Sequence, residues 1–166
     1  MIRSLSLLVL CLAAALLSSC SSPPSKGRKT VAKGQRITSV RTTAYTHTES
    51  DHIQYGARTA VGTALKYGQV RSAAADWSIY PVGTVFQIQG DPALYIVDDY
   101  GSALVGTGTI DLYKPSRTAM NGWGVRHVNI TVLRWGSFVK SLAILKPRAY
   151  KASHVREMVG RLAARS

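Results

Sequence analysis

The chain has 166 residues, enough for one domain with segments at either end. It carries 21 Lys and Arg against 8 Asp and Glu, a formal net charge of +13. Apolar residues make up 46%, which excludes wholesale disorder, because basic disordered chains lack that much apolar content. Both cysteines, Cys11 and Cys20, lie near the N-terminus, so a disulfide framework and a Cys-based zinc site are excluded for the body. Acid is the scarce item: Glu49, Asp51, Asp76, Asp91, Asp98, Asp99, Asp111 and Glu157. Any carboxylate acid/base chemistry draws on that short list.

Arg3 precedes an uncharged, mostly apolar run from Leu5 to Leu17. The run is too short to span a membrane, which takes ~20 apolar residues, and it reads as a signal h-region. Leu17-Ser18-Ser19-Cys20 resembles the bacterial lipobox. That resemblance implies cleavage after residue 19 and lipidation of Cys20, whose several acyl chains give stable anchoring. Ser21, in place of an Asp, implies outer-membrane delivery, facing the periplasm. Residues 20–36 follow as a Ser/Pro-rich basic linker with Lys26, Arg28, Lys29, Lys33 and Arg36.

Residues 37–147 form the body. Val40 to Thr46 is rich in Thr, Val and Tyr, and Thr84 to Ile88 is β-branched and aromatic. Gln89-Gly90-Asp91-Pro92 is turn chemistry before the apolar run Leu94 to Val97, so 84–97 reads as a hairpin. One short core helix is expected between Pro115 and Trp123, with Pro115 at or near its first turn. His127 to Leu133 alternates, with Val128, Ile130 and Val132 on one face, and Ser141 to Leu145 is a further short apolar run. Short strands at close spacing argue an all-β sandwich or barrel. In the tail, 148–166, Val155, Met158, Val159 and Leu162 recur at helical spacing, with Lys151, Arg156, Arg161 and Arg165 largely off that stripe. This basic amphipathic helix can dock on the body, lie on a membrane or pair with another helix; docking or fraying is the simplest outcome.

Five pieces of the body come in a recognisable order: Thr43-Ala44-Tyr45-Thr46, Thr59-Ala60-Val61-Gly62, Ala75-Asp76-Trp77 running on to Pro81-Val82-Gly83-Thr84, Asp99-Tyr100-Gly101 running on to Gly106, and Ile110-Asp111-Leu112-Tyr113. Together they resemble the three-aspartate (3D) domain, whose barrel core also occurs in membrane-bound lytic transglycosylase A. The resemblance spans Val40 to Leu133 and implies a double-psi β-barrel with three aspartates in one groove. Matched residue by residue, these are Asp76, Asp99 and Asp111. Asp99 is preferred to Asp98 because the motif reads Asp-x-Gly and Gly101 suits only Asp99. The resemblance also implies that Asp111 is the catalytic acid/base. Four departures stand out: Trp77 replaces a Pro, Ser102 a Gly and Val105 a Lys, and the loop Thr107-Gly108-Thr109 is one residue longer.

The implied activity is cleavage of the MurNAc-GlcNAc β-1,4 bond in peptidoglycan glycan strands. Such cleavage needs a proton delivered to the leaving oxygen, which a carboxyl of raised pKa can supply. Asp111, between Ile110 and Leu112, sits where desolvation is expected, with Asp76 and Asp99 positioning and tuning it. Thr43 and Tyr45, at the head of the first motif, are expected to contact substrate. The alternative is a binding module that holds wall polymer without cutting it. No cofactor and no metal are expected; His47 and His52 with Asp51 show loose ligand spacing, and a solvated loop is the simpler reading. The partners expected are peptidoglycan and, through the anchor, the membrane, for a monomeric protein. The net charge alone suggests nucleic acid, but a secretion signal argues against it.

Overall fold

The computed structural model describes residues 34–50 and 52–165. The signal segment 1–19, Cys20, most of the basic linker and Asp51 lie outside the described residues.

Six strands carry the body: β1 (Gln35–Tyr45), β2 (Val70–Ala75), β3 (Val85–Ile88), β4 (Leu94–Asp99), β5 (Ile110–Tyr113) and β6 (Arg126–Arg134). They close into a barrel in the order β1-β5-β2-β4-β3-β6. The β1–β5 and β2–β4 pairs are parallel and the other four pairs are antiparallel. This is the double-psi arrangement that the motif order implies. β1 starts at Gln35, inside the stretch read as linker, and it bulges between Ile37 and Val40, where Ser39 takes a positive φ of 55°.

Side chains alternate across a strand, so every second residue enters the barrel. Phe86 and Ile88 enter from β3, Tyr95 and Val97 from β4, Ile110 and Leu112 from β5, and Ile130 and Val132 from β6. Phe86 and Tyr95 stack across the 84–97 hairpin with ring centroids 5.3 Å apart. Each such side chain contributes on the order of 2 kcal/mol by leaving water. β2 has no large apolar residue in its buried half, Ser72-Ala73-Ala74-Ala75, because it lies between β4 and β5 and is covered on both faces.

The helices depart from the sequence reading in two places. α1 (Arg117–Trp123) starts after Ser116, whose side chain accepts from Ala119 N at 3.2 Å. Pro115 therefore precedes the cap, and α1 buries no side chain fully, so it is a surface helix and not a core one. The run 141–145 belongs to α2 (Phe138–Leu145) and not to a strand. Ser137 caps α2 by accepting from Lys140 N at 3.1 Å, and Ser141 and Leu145, four residues apart, are its buried positions. Gly136 enters this turn so tightly that a Cβ would lie 2.2 Å from Val82 O.

α3 (Ser153–Ala163) docks. Its Val155, Met158 and Leu162 belong to the same core cluster as the barrel interior. The tail is thus a packed part of the body.

Candidate active site

One row of strand pairing sets the site. Ala74 on β2 pairs with Asp99 on β4 and, on its other side, with Asp111 on β5. Asp111 pairs in turn with Thr43 on β1. With strands ~4.8 Å apart, Asp99 and Asp111 stand about 10 Å apart along this row, and only the methyl group of Ala74 comes between them. Ile110 and Leu112 point inward, so alternation turns Asp111 out of the barrel, where it is half-buried. Thr43 Oγ1 donates to Asp111 Oδ1 at 2.7 Å, which fixes that carboxylate.

The β2–β4 register shifts as it passes from Val97 to Asp99. A bulge of this kind re-aims side chains. Asp98 turns to Lys66 Nζ at 2.7 Å and Ser72 Oγ at 3.0 Å, while Asp99 turns to the row. Asp99 accepts from Ala60 N at 3.0 Å and Tyr100 N at 2.9 Å through Oδ1, and from Tyr45 Oη at 3.1 Å through Oδ2. Burial pushes its carboxyl up, against the pull of these donors and of His52. Burial raises Asp98 likewise, against Lys66.

Tyr45 sits among all three carboxylates. Burial and then Asp99, with smaller effects from Asp98 and Asp111, push its phenol well above its ordinary value. It therefore stays protonated and acts as a donor. The acids grouped around this phenol are Asp98, Asp99 and Asp111, and the Asp-x-Gly spacing did not signal Asp98.

Asp76 stands apart. It is fully buried and saturated. Oδ1 accepts from Ser78 N and Ser78 Oγ, both at 2.7 Å, and Oδ2 accepts from Gly106 N at 2.8 Å and Arg161 Nη1 at 3.4 Å. Gly106 has φ +77°, and a Cβ there would lie 2.7 Å from Arg161 Nη2, so the last turn of α3 closes onto this glycine. Asp76 thus joins the β4–β5 loop and α3 to the end of β2. It does not line the cleft that holds Asp99 and Asp111.

That cleft encloses about 650 Å³. The strands contribute Ala44, Tyr45, Asp99 and Asp111, and the segment 49–60 contributes Glu49, His52, Tyr55, Arg58, Thr59 and Ala60. The loop after β4 and the chain from Arg148 to Val155 complete it. Arg148 Nη1 donates to Ala60 O at 2.9 Å, so Ala60 is held on one side by Asp99 and on the other by the tail. Of the two expected substrate contacts, Tyr45 lines the cleft and also holds Asp99, whereas Thr43 reaches the site through its bond to Asp111.

The departures from the motif are absorbed. Trp77 is fully buried and its Nε1 donates to Asp99 O at 2.8 Å, which pins the backbone at the site. The longer loop closes locally: Thr107 N and Oγ1 both bond Leu104 O, and Thr109 N bonds Thr107 Oγ1. Asp111 keeps its register with Thr43 and Ala74. Among the described residues, no three His, Cys, Asp or Glu side chains gather as a metal site, and Asp51 lies outside them.

Residues 71–134, from β2 to the end of β6, match the model of the 3D domain family. That segment of the chain is similar to the 3D domain. No curated protein matches the chain. The 3D domain family is associated with peptidoglycan-related barrels. The matched segment holds Asp76, Asp99 and Asp111. β1, which brings Thr43 and Tyr45, and α3, which brings a wall of the cleft, lie outside it.

Proposed function

We propose that the 3D domain cuts peptidoglycan glycan strands at the MurNAc-GlcNAc β-1,4 bond as a lytic transglycosylase. The observation that carries this reading is the row Asp99–Ala74–Asp111–Thr43, with both aspartates lining one cleft. Asp111, in its carboxylic acid form, gives its proton to the glycosidic oxygen as the C1–O bond breaks. The 6-hydroxyl of the same muramyl ring attacks C1 and yields its proton to the Asp111 carboxylate. The products are a 1,6-anhydro end and a free 4-hydroxyl, and the acid is restored. Thr43 orients Asp111. Asp99 and the protonated Tyr45 supply a fixed polar wall facing the charge that develops on the ring.

The test incubates the full chain in detergent with purified peptidoglycan and reads the products by mass spectrometry. Anhydro-ended fragments are expected, with a loss of ~100-fold or more in Asp111→Asn. Reducing ends would make it a hydrolase. Binding with no products would leave the non-cutting module.

The same reading places the domain in the bacterial envelope, tethered through lipidated Cys20 to the outer membrane. Cys20→Ala should move the protein from the membrane fraction to the soluble periplasm; retention in the membrane fraction would reject the anchor.

A further inference from the structure

The end of β5 carries a charge that the proposed chemistry does not use. Lys114 follows Tyr113, and its N donates to Tyr45 O at 2.8 Å, next to the last rung of the β1–β5 ladder. The residue is only 5% exposed. Among the described residues its ammonium makes no ion pair. Nζ rests instead over two rings, 4.5 Å from the centroid of Trp123 and 5.8 Å from that of Tyr67. The sealed polar atoms without a partner are Thr46 Oγ1, His52 Nε2 and Asp98 Oδ1, so the tip of Lys114 is not among them.

Two more cations stand on the same rings. Arg71 lies 4.8 Å from the Tyr67 centroid and Arg126 4.3 Å from the Trp123 centroid. Arg71 pairs with Asp91 Oδ2 at 3.1 Å, and Arg126 is tied to carbonyls at the end of α1, with Nε on Trp123 O at 2.8 Å. Asp91 is the one carboxylate among the described residues that pairs with any of the three. Burial and then Arg71 push the Lys114 ammonium below its ordinary value; Asp91 opposes them and Arg126 adds to them. A buried ammonium is costly unless an acceptor replaces the water it loses, and ring faces replace only part of it. A carboxylate at Nζ would supply the rest, drawn in by all three cations.

This socket lies outside the cleft but is joined to it by rings. Tyr45 lines the cleft, its centroid is 5.6 Å from that of Tyr113, and Tyr113 meets Tyr67 edge-on at 6.3 Å. We propose that Lys114, flanked by Arg71 and Arg126, binds a carboxylate of a second muramyl residue on the glycan strand held in the cleft. The identity of the polymer rests on the proposed cleavage. Every muramyl ring offers such a group: the lactyl carboxylate itself where the stem peptide is gone, and the carboxylates of the peptide where it remains. The socket therefore rewards strand length, and it accepts peptide-free and peptide-bearing glycan alike.

The experiment reads binding apart from cutting. The full chain carrying Asp111→Asn is titrated in detergent with peptide-free glycan fragments: one with a single muramyl ring, one with several, and the longer one with its lactyl carboxyls methyl-esterified. The longer acid should bind about tenfold more tightly than the short one, the range of one or two charge-assisted hydrogen bonds, and the ester should lose that gain. Adding Lys114→Met, which keeps an unbranched stem and removes the charge, should abolish the gain without lowering Tm. Arg126→Gln, at an exposed position, should cut the gain by about threefold and provides the test should Lys114→Met fail to fold. A gain that persists in the ester, or that neither substitution reduces, overturns the proposal and leaves Lys114 a packing residue held by its rings. Failure of the cutting reading is seen separately, as missing anhydro ends from the unsubstituted chain, and leaves these affinities as they are.

Discussion

Asp76 and Asp111 stand two residues out of step where β2 runs beside β5, and their surroundings are opposite. Asp76 follows directly on β2, is fully buried, and meets four donors from Ser78, Gly106 and Arg161. Asp111 is half-buried at a cleft, and its Oδ1 is fixed by the Thr43 hydroxyl. A buried carboxylate persists only if donors replace the water it loses, so saturation marks Asp76 as a joint. A carboxylate that must exchange a proton with a ligand has to border space the ligand can enter, and Asp111 does. On the proposed function, one family motif supplies both a brace and a reactive group.

The largest effect that can break this comparison is on stability. Asp76→Ala leaves Gly106 N and Ser78 N without their acceptor and detaches Arg161. Arg161 is 41% exposed, so most of the cost comes from the stranded N–H groups rather than from the ion pair. The loss should be roughly 3 kcal/mol, seen as a fall in Tm of about 10 °C. Below that Tm, activity per folded molecule should stay within about threefold of the unsubstituted chain, because Asp76 borders no cleft. A Tm close to the unsubstituted value together with abolished cutting would move Asp76 from brace to catalyst.

The contrast between these aspartates was not legible in the sequence. Both sit in the motif frame, and that frame orders Asp76, Asp99 and Asp111 without their donors. Two of the four donors of Asp76 come from 30 and 85 residues away, and no local pattern reports contacts of that span. β-Branched and aromatic content revealed β3, an apolar run after turn chemistry revealed β4, and alternation revealed β6. None of these signals marked β2, whose alanines are small because the strand is covered on both faces. Ser141 to Leu145 is too short to separate a strand from a helix by apolar content; the signal was there in Ser137, three residues before Lys140, as a cap. The tail showed its helical stripe plainly. That it also builds a wall of the cleft depends on Arg148 meeting Ala60, again a distant pairing.

A smaller effect sharpens the comparison at Asp99, which combines both characters: it borders the cleft, and both its oxygens are bonded. Burial raises its carboxyl above the ordinary carboxylate value of 3.8. The folded chain therefore holds that proton more readily than the unfolded one, and stability falls as pH rises through the folded value. At neutral pH the ionised Asp99 is a standing cost. Asp99→Asn removes the charge and keeps an oxygen for Ala60 N and Tyr100 N, while its amide can donate to Tyr45 Oη. Its Tm at pH 7 should exceed that of the unsubstituted chain by a few degrees, and the gap should close below about pH 4, where both chains are neutral at this position. Cutting should fall by about tenfold in the same variant, less than for Asp111→Asn, because the proton transfer itself is untouched. A gain in stability with a loss of activity is the signature of a charge kept for function, and a brace such as Asp76 cannot produce it. A fall in Tm at pH 7 that persists at pH 4 would put Asp99 among the braces.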